Sequence, residues 1–250
     1  MDLPTAFYMA SVVAILITGI SKSGFGGGLG VMAVPIMSLF VAPQFAAAVM
    51  MPILLAMDVM IVWRYRSQWD RRVVWSLIPG ARLGLCVGAL TFEFMNGDAI
   101  RLVIGVLALF FVLQFLIQRR ATRPTSRAVA WLLGLLSGFA SYTAHAGGPP
   151  VKGYLLRQNL DKTAFVGTNT VYFFILNALK TVAYGSSGAL DHTSLTVSLV
   201  LAPMLFLGVF LGTRLHHLIS QDVFVKIVYA FLGFAGVKLL SDGTAALLAG

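Results

Sequence analysis

The sequence predicts an all-α, polytopic membrane protein made of two inverted repeats. Its mean hydropathy is +0.88, and 58% of its 250 residues are hydrophobic whereas 11% are charged, so it is more apolar than soluble domains. The apolar residues form segments close to the length of about 20 residues that crosses a bilayer. Glycine-rich stretches interrupt two of these segments, at residues 24–30 and 147–150. Each repeat is therefore predicted to have a broken or re-entrant first helical hairpin followed by three transmembrane helices.

The apolar segments can be placed in order along the chain. The predicted segments are 5–20, 31–42, 45–63, 73–92, 99–117, 128–146, 151–156, 163–184, 195–215 and 223–240. The segments 31–42 and 151–156 are too short to cross a bilayer, and each directly follows a glycine-rich interruption. They are predicted to be the second arms of the broken or re-entrant hairpins.

Matching residue spacings identify the two halves as copies. The two sets of matching positions are Pro79, Gly84, Gly88 and Asp98, and Pro203, Gly208, Gly212 and Asp222. Every position of the second set follows its counterpart by 124 residues, the separation of Pro79 and Pro203. We therefore predict a first repeat over 1–118, a cytoplasmic linker over 119–127 and a second repeat over 128–250.

The charged residues predict how the repeats are oriented. Basic residues give the chain a formal net charge of +9 and are concentrated in short loops, among them 64–72 and 119–127, whereas loop 93–98 is acidic. Because arginine-rich loops stay in the cytoplasm, we expect both chain termini to be periplasmic and the two repeats to be antiparallel. The same distribution leaves no basic face for nucleic acid, so we expect no nucleic-acid partner.

The two glycine-rich interruptions are the candidate binding site. Backbone that leaves a helix inside a bilayer must find partners in protein or in a wet cavity, and paired breaks in two repeats indicate a transporter site. Helix starts after glycine offer N–H groups and partial positive charge, so a small anion fits there. The predicted substrate-binding residues are Lys22, Ser23, Gly24, Gly26, Gly27, Gly28, Ser141, Thr143, His145, Gly147, Gly148, Pro149, Asn169 and Asn177.

Several of these residues have a second interpretation. The glycines could instead allow close helix packing, as we expect for the G-x-x-x-G pairs at Gly84, Gly134 and Gly208. Lys22 and Lys152 could extend towards the membrane surface rather than meet a substrate, and asparagine amides can bridge helices. His145 is either a proton carrier or an ordinary hydrogen-bonded histidine.

Asp58 and Arg82 form a second candidate cluster of buried charge. They lie 11 residues before and 13 residues after Trp69, the centre of the turn between their predicted helices. In an antiparallel hairpin they would share one depth, where an unpaired charge is costly. We therefore predict an Asp58–Arg82 ion pair, with a structural role or a role in coupling or gating.

These motifs resemble those of the TauE/SafE sulfite exporter family, also called the TSUP permeases. The resemblance rests on the G-x-G-G-G stretch with Pro35 a few residues on, the G-G-P-P motif at 147–150 and the paired G-x-x-x-G spans. It covers essentially the whole chain. It implies a bacterial inner-membrane secondary transporter of sulfur-containing or small organic anions such as sulfite or sulfoacetate. The resemblance and the broken helices together predict alternating access, with protons or sodium as candidate coupling ions.

Two other functions are compatible with parts of the sequence. A passive anion channel could use the same helix starts. The stretch Gly185-Ser186-Ser187-Gly188 fits the G-x-S-G pattern of intramembrane proteases with His216 or His217 as the base, although charge places the two parts on opposite sides of the membrane. The sequence contains no H-E-x-x-H, P-loop or cysteine cluster, so we expect no metal, no cofactor and no enzyme activity.

Overall fold

The computed structural model describes residues 3–24, 30–117, 126–215 and 221–249. Within these ranges the regular structure is entirely helical, with ten α-helices and one 3-10 turn at Gly30–Met32. The helices are α1 Thr5–Gly24, α2 Ala33–Met37, α3 Pro43–Tyr65, α4 Arg71–Phe94, α5 Gly97–Ile117, α6 Arg127–Ala144, α7 Gly148–Leu155, α8 Lys162–Ser186, α9 His192–Leu215 and α10 Gln221–Ala249. The predicted all-α fold is confirmed.

Within the part of the chain that the structure describes, five helices are long and apolar enough to cross a membrane, namely α1, α3, α4, α5 and α9. Large hydrophobic side chains on the outer surface of the bundle are exposed, including Leu116, Leu199 and Phe234. A water-soluble protein rarely leaves so many apolar side chains uncovered, whereas lipid would cover them. The chain is therefore a polytopic membrane protein.

Short polar side chains cap the first turns of several helices. Asp70 accepts a hydrogen bond from the Val73 amide at the start of α4, and Asp161 accepts two at the start of α8. Asp191 accepts from the Ser194 amide at 2.7 Å before α9, and this bond holds the pKa of the Asp191 carboxyl below its usual value. These caps satisfy N–H groups that the helices themselves leave unpaired.

The two halves of the chain have the same order of elements, and the helices of one half pair with those of the other in a matching pattern. In each half a long helix is followed by a short one and three long ones. Helix α1 packs along α9 just as α6 packs along α4, and the remaining main contacts join α3 with α8 and α5 with α10. If α1 corresponds to α6 and α4 to α9, the α1–α9 pair of helices is the counterpart of the α6–α4 pair. The same set of helix pairs is therefore obtained when the two halves are interchanged.

The helices within the α3–α8 pair and within the α5–α10 pair run in opposite directions. In the α5–α10 pair, Gly105 faces Gly236 and Leu240, whereas Gly243 faces Asp98 and Leu102. In the α3–α8 pair, Asp58 contacts Asn177 near one end and Tyr65 approaches Gly167 near the other. These contacts support the inverted orientation of the repeats, which stays a prediction.

The G-x-x-x-G glycines lie where two helix backbones touch. A Cβ atom at Gly84 would collide with the Leu135 carbonyl, and one at Gly138 would collide with Ala81. Gly208 and Gly212 approach α1 in the same way. The packing role predicted for these glycines is confirmed, and it draws α1 against α9 and α4 against α6.

We predict that Gly84→Ala separates α4 from α6, because the added methyl group meets backbone that cannot move without shifting a helix. Overpacking of this kind lowers the free energy of unfolding by about 1–3 kcal/mol. Thermal unfolding of detergent-purified protein would measure the loss. Gly185→Ala is the control, since a Cβ atom at Gly185 has no neighbour within 4 Å. Equal melting temperatures for the two variants would contradict the packing role.

Candidate functional site

A buried ion pair within the first half of the chain is also hydrogen-bonded to the second half. The Lys22 ammonium at the end of α1 donates to Asp58 Oδ1 of α3 at 2.5 Å. The Asn177 amide of α8 donates to the other carboxylate oxygen, Asp58 Oδ2, at 2.5 Å. Asp58 and Asn177 are 1% and 2% exposed. Because both oxygens of the carboxylate have partners, its charge is accommodated away from water.

A second lysine lies close to this pair without a carboxylate of its own. Lys180 of α8 is 1% exposed and donates to the Ser141 carbonyl at 2.9 Å. It also lies 2.7 Å from His145 Nδ1. Among the described residues it forms no ion pair. An ammonium group has three donors, so these two acceptors leave one N–H without an assigned partner among the described residues.

His145 is held in an unusual backbone conformation at the end of α6. Its φ of 51° places it in the left-handed region, which a residue with a side chain rarely adopts. Its Nε2 lies 2.9 Å from the Ala47 carbonyl, and since a carbonyl only accepts, Nε2 carries a hydrogen. The neutral ring then accepts from Lys180 through Nδ1. The ring is thereby fixed between α3 and α8, as strained residues at functional sites often are.

One cavity brings both interrupted segments together. It has a volume of about 30 Å³ and is lined by Lys22, Val31, Leu54, Ser141, His145, Gly148, Phe173, Asn177 and Lys180. Val31 follows the first glycine-rich stretch and Gly148 belongs to the second. We call this space the lysine cavity. Its volume is close to that of one water molecule and far below the several hundred Å³ of a typical ligand pocket, so the site is closed in this conformation.

A smaller cavity is lined by both residues of the Lys22–Asp58 pair. Its volume is about 10 Å³, and Asn169, Thr170 and Phe173 contribute to its wall. Asn169 thus lines this smaller cavity, whereas Asn177 lines the lysine cavity.

The structure brings five predicted substrate-binding residues to the lysine cavity: Lys22, Ser141, His145, Gly148 and Asn177. Gly26, Gly27 and Gly28 lie outside the described residues. The predicted residues that do not line the lysine cavity are Ser23, Gly24, Thr143, Gly147, Pro149 and Asn169.

Packing and hydrogen bonds elsewhere in the bundle explain why most of these residues do not line the lysine cavity. Ser23 donates to carbonyls of Gly19 and Val209, and Gly24 lies against the backbone of Gly212, so both belong to the α1–α9 contact. Thr143 donates to the Phe139 carbonyl within its own helix. The Gly147 carbonyl accepts from Ser137 at 2.8 Å, which ties the second break to α6.

The predicted Asp58–Arg82 ion pair is wrong. Asp58 contacts Lys22 and Asn177 instead, whereas Arg82 is exposed on α4. Equal distance from a turn fixes the depth of a residue but leaves its direction around the helix open. Here α4 directs Arg82 outward while α3 directs Asp58 into the bundle.

Sequence reasoning did not identify Lys180 or the Ala47 carbonyl as parts of the site. Lys180 lies in the predicted apolar segment 163–184, and an intramembrane lysine is a functional candidate by default. It also follows Asn177 by three positions, which places the two on one face of a helix. That signal was available. The Ala47 carbonyl could not have been found, because every residue has a backbone carbonyl and the sequence does not distinguish one from another.

Larger clefts open at both ends of the α4–α6 pair. One, of about 870 Å³, lies where these helices begin and includes Arg72 and Arg127. The other, of about 490 Å³, lies towards their ends and includes Phe92, Tyr142 and Tyr184. The rings of Tyr142 and Tyr184 are 5.0 Å apart, and Tyr184 is also stacked on His145 at 6.2 Å. These rings separate the second cleft from the lysine cavity.

We predict that Asp58→Leu lowers the free energy of unfolding by about 3–5 kcal/mol, because it leaves the Lys22 ammonium buried without its partner. The double variant Lys22→Met, Asp58→Leu should recover part of this loss. Thermal or denaturant unfolding in detergent would measure both. Arg101→Gln, which breaks the half-exposed Asp98–Arg101 pair, is the control and should cost at most about 1 kcal/mol. Strictly additive effects of the two buried substitutions would show that the pair contributes nothing.

Comparison with known proteins identifies the family of the chain. The family model described as sulfite exporter TauE/SafE matches residues 11–239. No curated protein and no solved structure matched the chain significantly. The matched range contains both glycine-rich interruptions and every residue that lines the lysine cavity. The chain therefore belongs to the TauE/SafE sulfite exporter family.

Proposed function

We propose that the protein is a secondary transporter of small sulfur-containing anions such as sulfite or sulfoacetate, and that the anion binds in the lysine cavity. Family membership supports a membrane permease or exporter of sulfur-containing anions. The observation that carries the proposal is the Lys180 ammonium, which is buried beside the cavity and has no carboxylate partner among the described residues.

The charge around the cavity favours an anion. Among the described residues Lys22 is paired with Asp58 and Lys180 has no ion-pair partner, so two protonated lysines beside one carboxylate leave one formal positive charge in excess. The start of α7 adds partial positive charge. Because Pro149 and Pro150 lack N–H groups, this helix start offers few backbone donors. We therefore assign the main contacts of the anion to the ammonium groups, with the Asn177 side chain nearby.

Transport requires the closed site to open towards one side at a time. The cavity of about 30 Å³ has no room for a sulfonate, so surrounding side chains must move before one binds. The two clefts at opposite ends of the α4–α6 pair offer routes to the site. We propose that the Tyr142–Tyr184 contact closes one route, and that the stacking of Tyr184 on His145 links this closure to occupation of the site. We propose protons or sodium as the coupling ion.

We predict that Lys180→Gln weakens binding of sulfite or sulfoacetate about 10- to 100-fold, the effect of losing a charge-assisted hydrogen bond. Tracer uptake into proteoliposomes and thermal shift with added anion would measure it. Lys152→Gln is the matched control, because Lys152 lies on α7 but does not line the cavity. If Lys180→Gln fails to fold, Lys180→Arg tests the charge requirement. Unchanged flux in folded Lys180→Gln would place the anion elsewhere.

The same assay separates a carrier from a passive channel. A carrier should saturate and should exchange labelled internal anion for unlabelled external anion, whereas flux through a channel should show no such exchange. Taurine should bind more weakly than sulfoacetate, because its ammonium group gains nothing beside Lys180. Equal binding of both would argue against the charge-based assignment.

We also propose an inner-membrane location with both termini periplasmic. The arginine-rich loops 64–72 and 119–127 support this topology. We predict that alkaline phosphatase fused after residue 250 is active and that green fluorescent protein fused there is dark. Fusions in loop 64–72 should give the opposite result and serve as the control. A fluorescent, phosphatase-inactive fusion at the C-terminus would overturn the topology.

A further inference from the structure

We propose that the cleft where α4 and α6 begin is a binding site for the phosphate headgroup of an anionic phospholipid. The cleft measures about 870 Å³, and its wall includes Arg72, Trp75, Ser76, Arg127, Trp131 and Tyr154. It shares no lining residue with the lysine cavity. The inference therefore does not rest on the proposed transport function.

The cleft combines two arginines with two helix starts. Gly80 of α4 faces Trp131 of α6 and Gly84 faces Leu135, so the two helices run parallel and both begin at this face. Each helix start carries partial positive charge. Arg72 and Arg127 are exposed, and within the described ranges neither forms an ion pair. The guanidinium groups remain available to bind a phosphate, which arginine recognises through paired hydrogen bonds.

One carboxylate also lines the cleft. Asp70 would repel an anion, but its Oδ1 accepts from the Val73 amide at 3.0 Å as the cap of α4, and its backbone N–H donates to Thr168. The carboxylate is thus directed at the helix start. Two arginines and two helix starts outweigh this single charge.

The tryptophans indicate a lipid ligand rather than a dissolved anion. Trp75 and Trp131 follow Arg72 and Arg127 by three and four residues, so each lies about one helical turn deeper. They are 59% and 52% exposed. Tryptophan prefers the boundary between headgroups and acyl chains, and basic pockets between transmembrane helices bind anionic headgroups. A phosphate held by the arginines would place its acyl chains beside these rings.

The floor of the cleft is already hydrogen-bonded within the protein. The Ser76 hydroxyl donates to the Val73 carbonyl at 2.7 Å, so in its 3.0 Å contact with Tyr154 the tyrosine hydroxyl is the donor. Both hydroxyl hydrogens are used. The headgroup contacts therefore fall to the arginines, which makes their substitution a direct test.

Native mass spectrometry of the detergent-purified full chain can test the site. Phosphatidylglycerol should remain bound at activation energies that remove phosphatidylethanolamine. Arg72→Gln with Arg127→Gln should reduce the bound fraction of phosphatidylglycerol at least tenfold with unchanged melting temperature. Arg66→Gln is the control, because Arg66 is an exposed arginine near the start of α4 that stacks on Trp63 and does not line the cleft.

Further arms distinguish the sources of phosphate. Glycerol 3-phosphate, which has the headgroup chemistry without acyl chains, should bind far more weakly than the lipid. Trp75→Ala with Trp131→Ala should weaken lipid binding and leave glycerol 3-phosphate unaffected. Equal binding of lipid and glycerol 3-phosphate would mean a site for soluble anions. Equal retention of phosphatidylglycerol and phosphatidylethanolamine would mean general surface attraction. So would a loss of phosphatidylglycerol in Arg66→Gln as large as in the Arg72→Gln, Arg127→Gln variant. Each of these three results overturns the proposal.

Discussion

The cost of burying ammonium groups in an apolar helix bundle is the constraint on which the centre of this structure depends. A charged side chain at membrane depth must be paired or hydrogen-bonded. Lys22 forms an ion pair with Asp58, and the Asn177 amide donates a hydrogen bond to the second oxygen of that carboxylate. Lys180 has only the Ser141 carbonyl and the His145 ring among the described residues. Helices α1, α3, α6 and α8 must all be in place before both lysines are satisfied, so the buried charges hold these helices in one arrangement.

A second constraint acts at the interruption after α6, where backbone groups that leave the helix must find hydrogen-bond partners. His145 turns the chain in the left-handed conformation, and the His145 and Ala146 amides donate back to carbonyls of α6. The Gly147 carbonyl is satisfied by Ser137, whose hydroxyl also accepts from Tyr172. The break is therefore a hydrogen-bonded turn that directs an imidazole at Lys180, and its backbone strain is retained at the point where the ligand is proposed to bind.

The scaffold repeats between the halves, but the chemistry does not. Glycine contacts join α1 with α9 and α6 with α4 in the same manner. By contrast, Leu176 lies 118 residues after Asp58, the separation of Gly30 and Gly148, and is its counterpart in the second repeat. The second break also has a histidine where the first is rich in glycine. Packing glycines serve the same backbone contact in either half and can be duplicated. The proposed binding site between the halves needs only one set of charged groups, so these can differ.

Composition and spacing in the sequence determined the membrane class, the helical segments, the two interruptions and the packing glycines, because each follows from local periodicity or residue size. They also indicated Lys22, His145 and Asn177 as site residues. The tertiary structure alone decided which charges meet. Depth along a helix can be counted from a turn, but the direction of a side chain around the helix depends on every neighbouring contact. Asp58 therefore binds Lys22 rather than Arg82, and Lys180 and the Ala47 carbonyl enter the site through packing between helices distant in the chain.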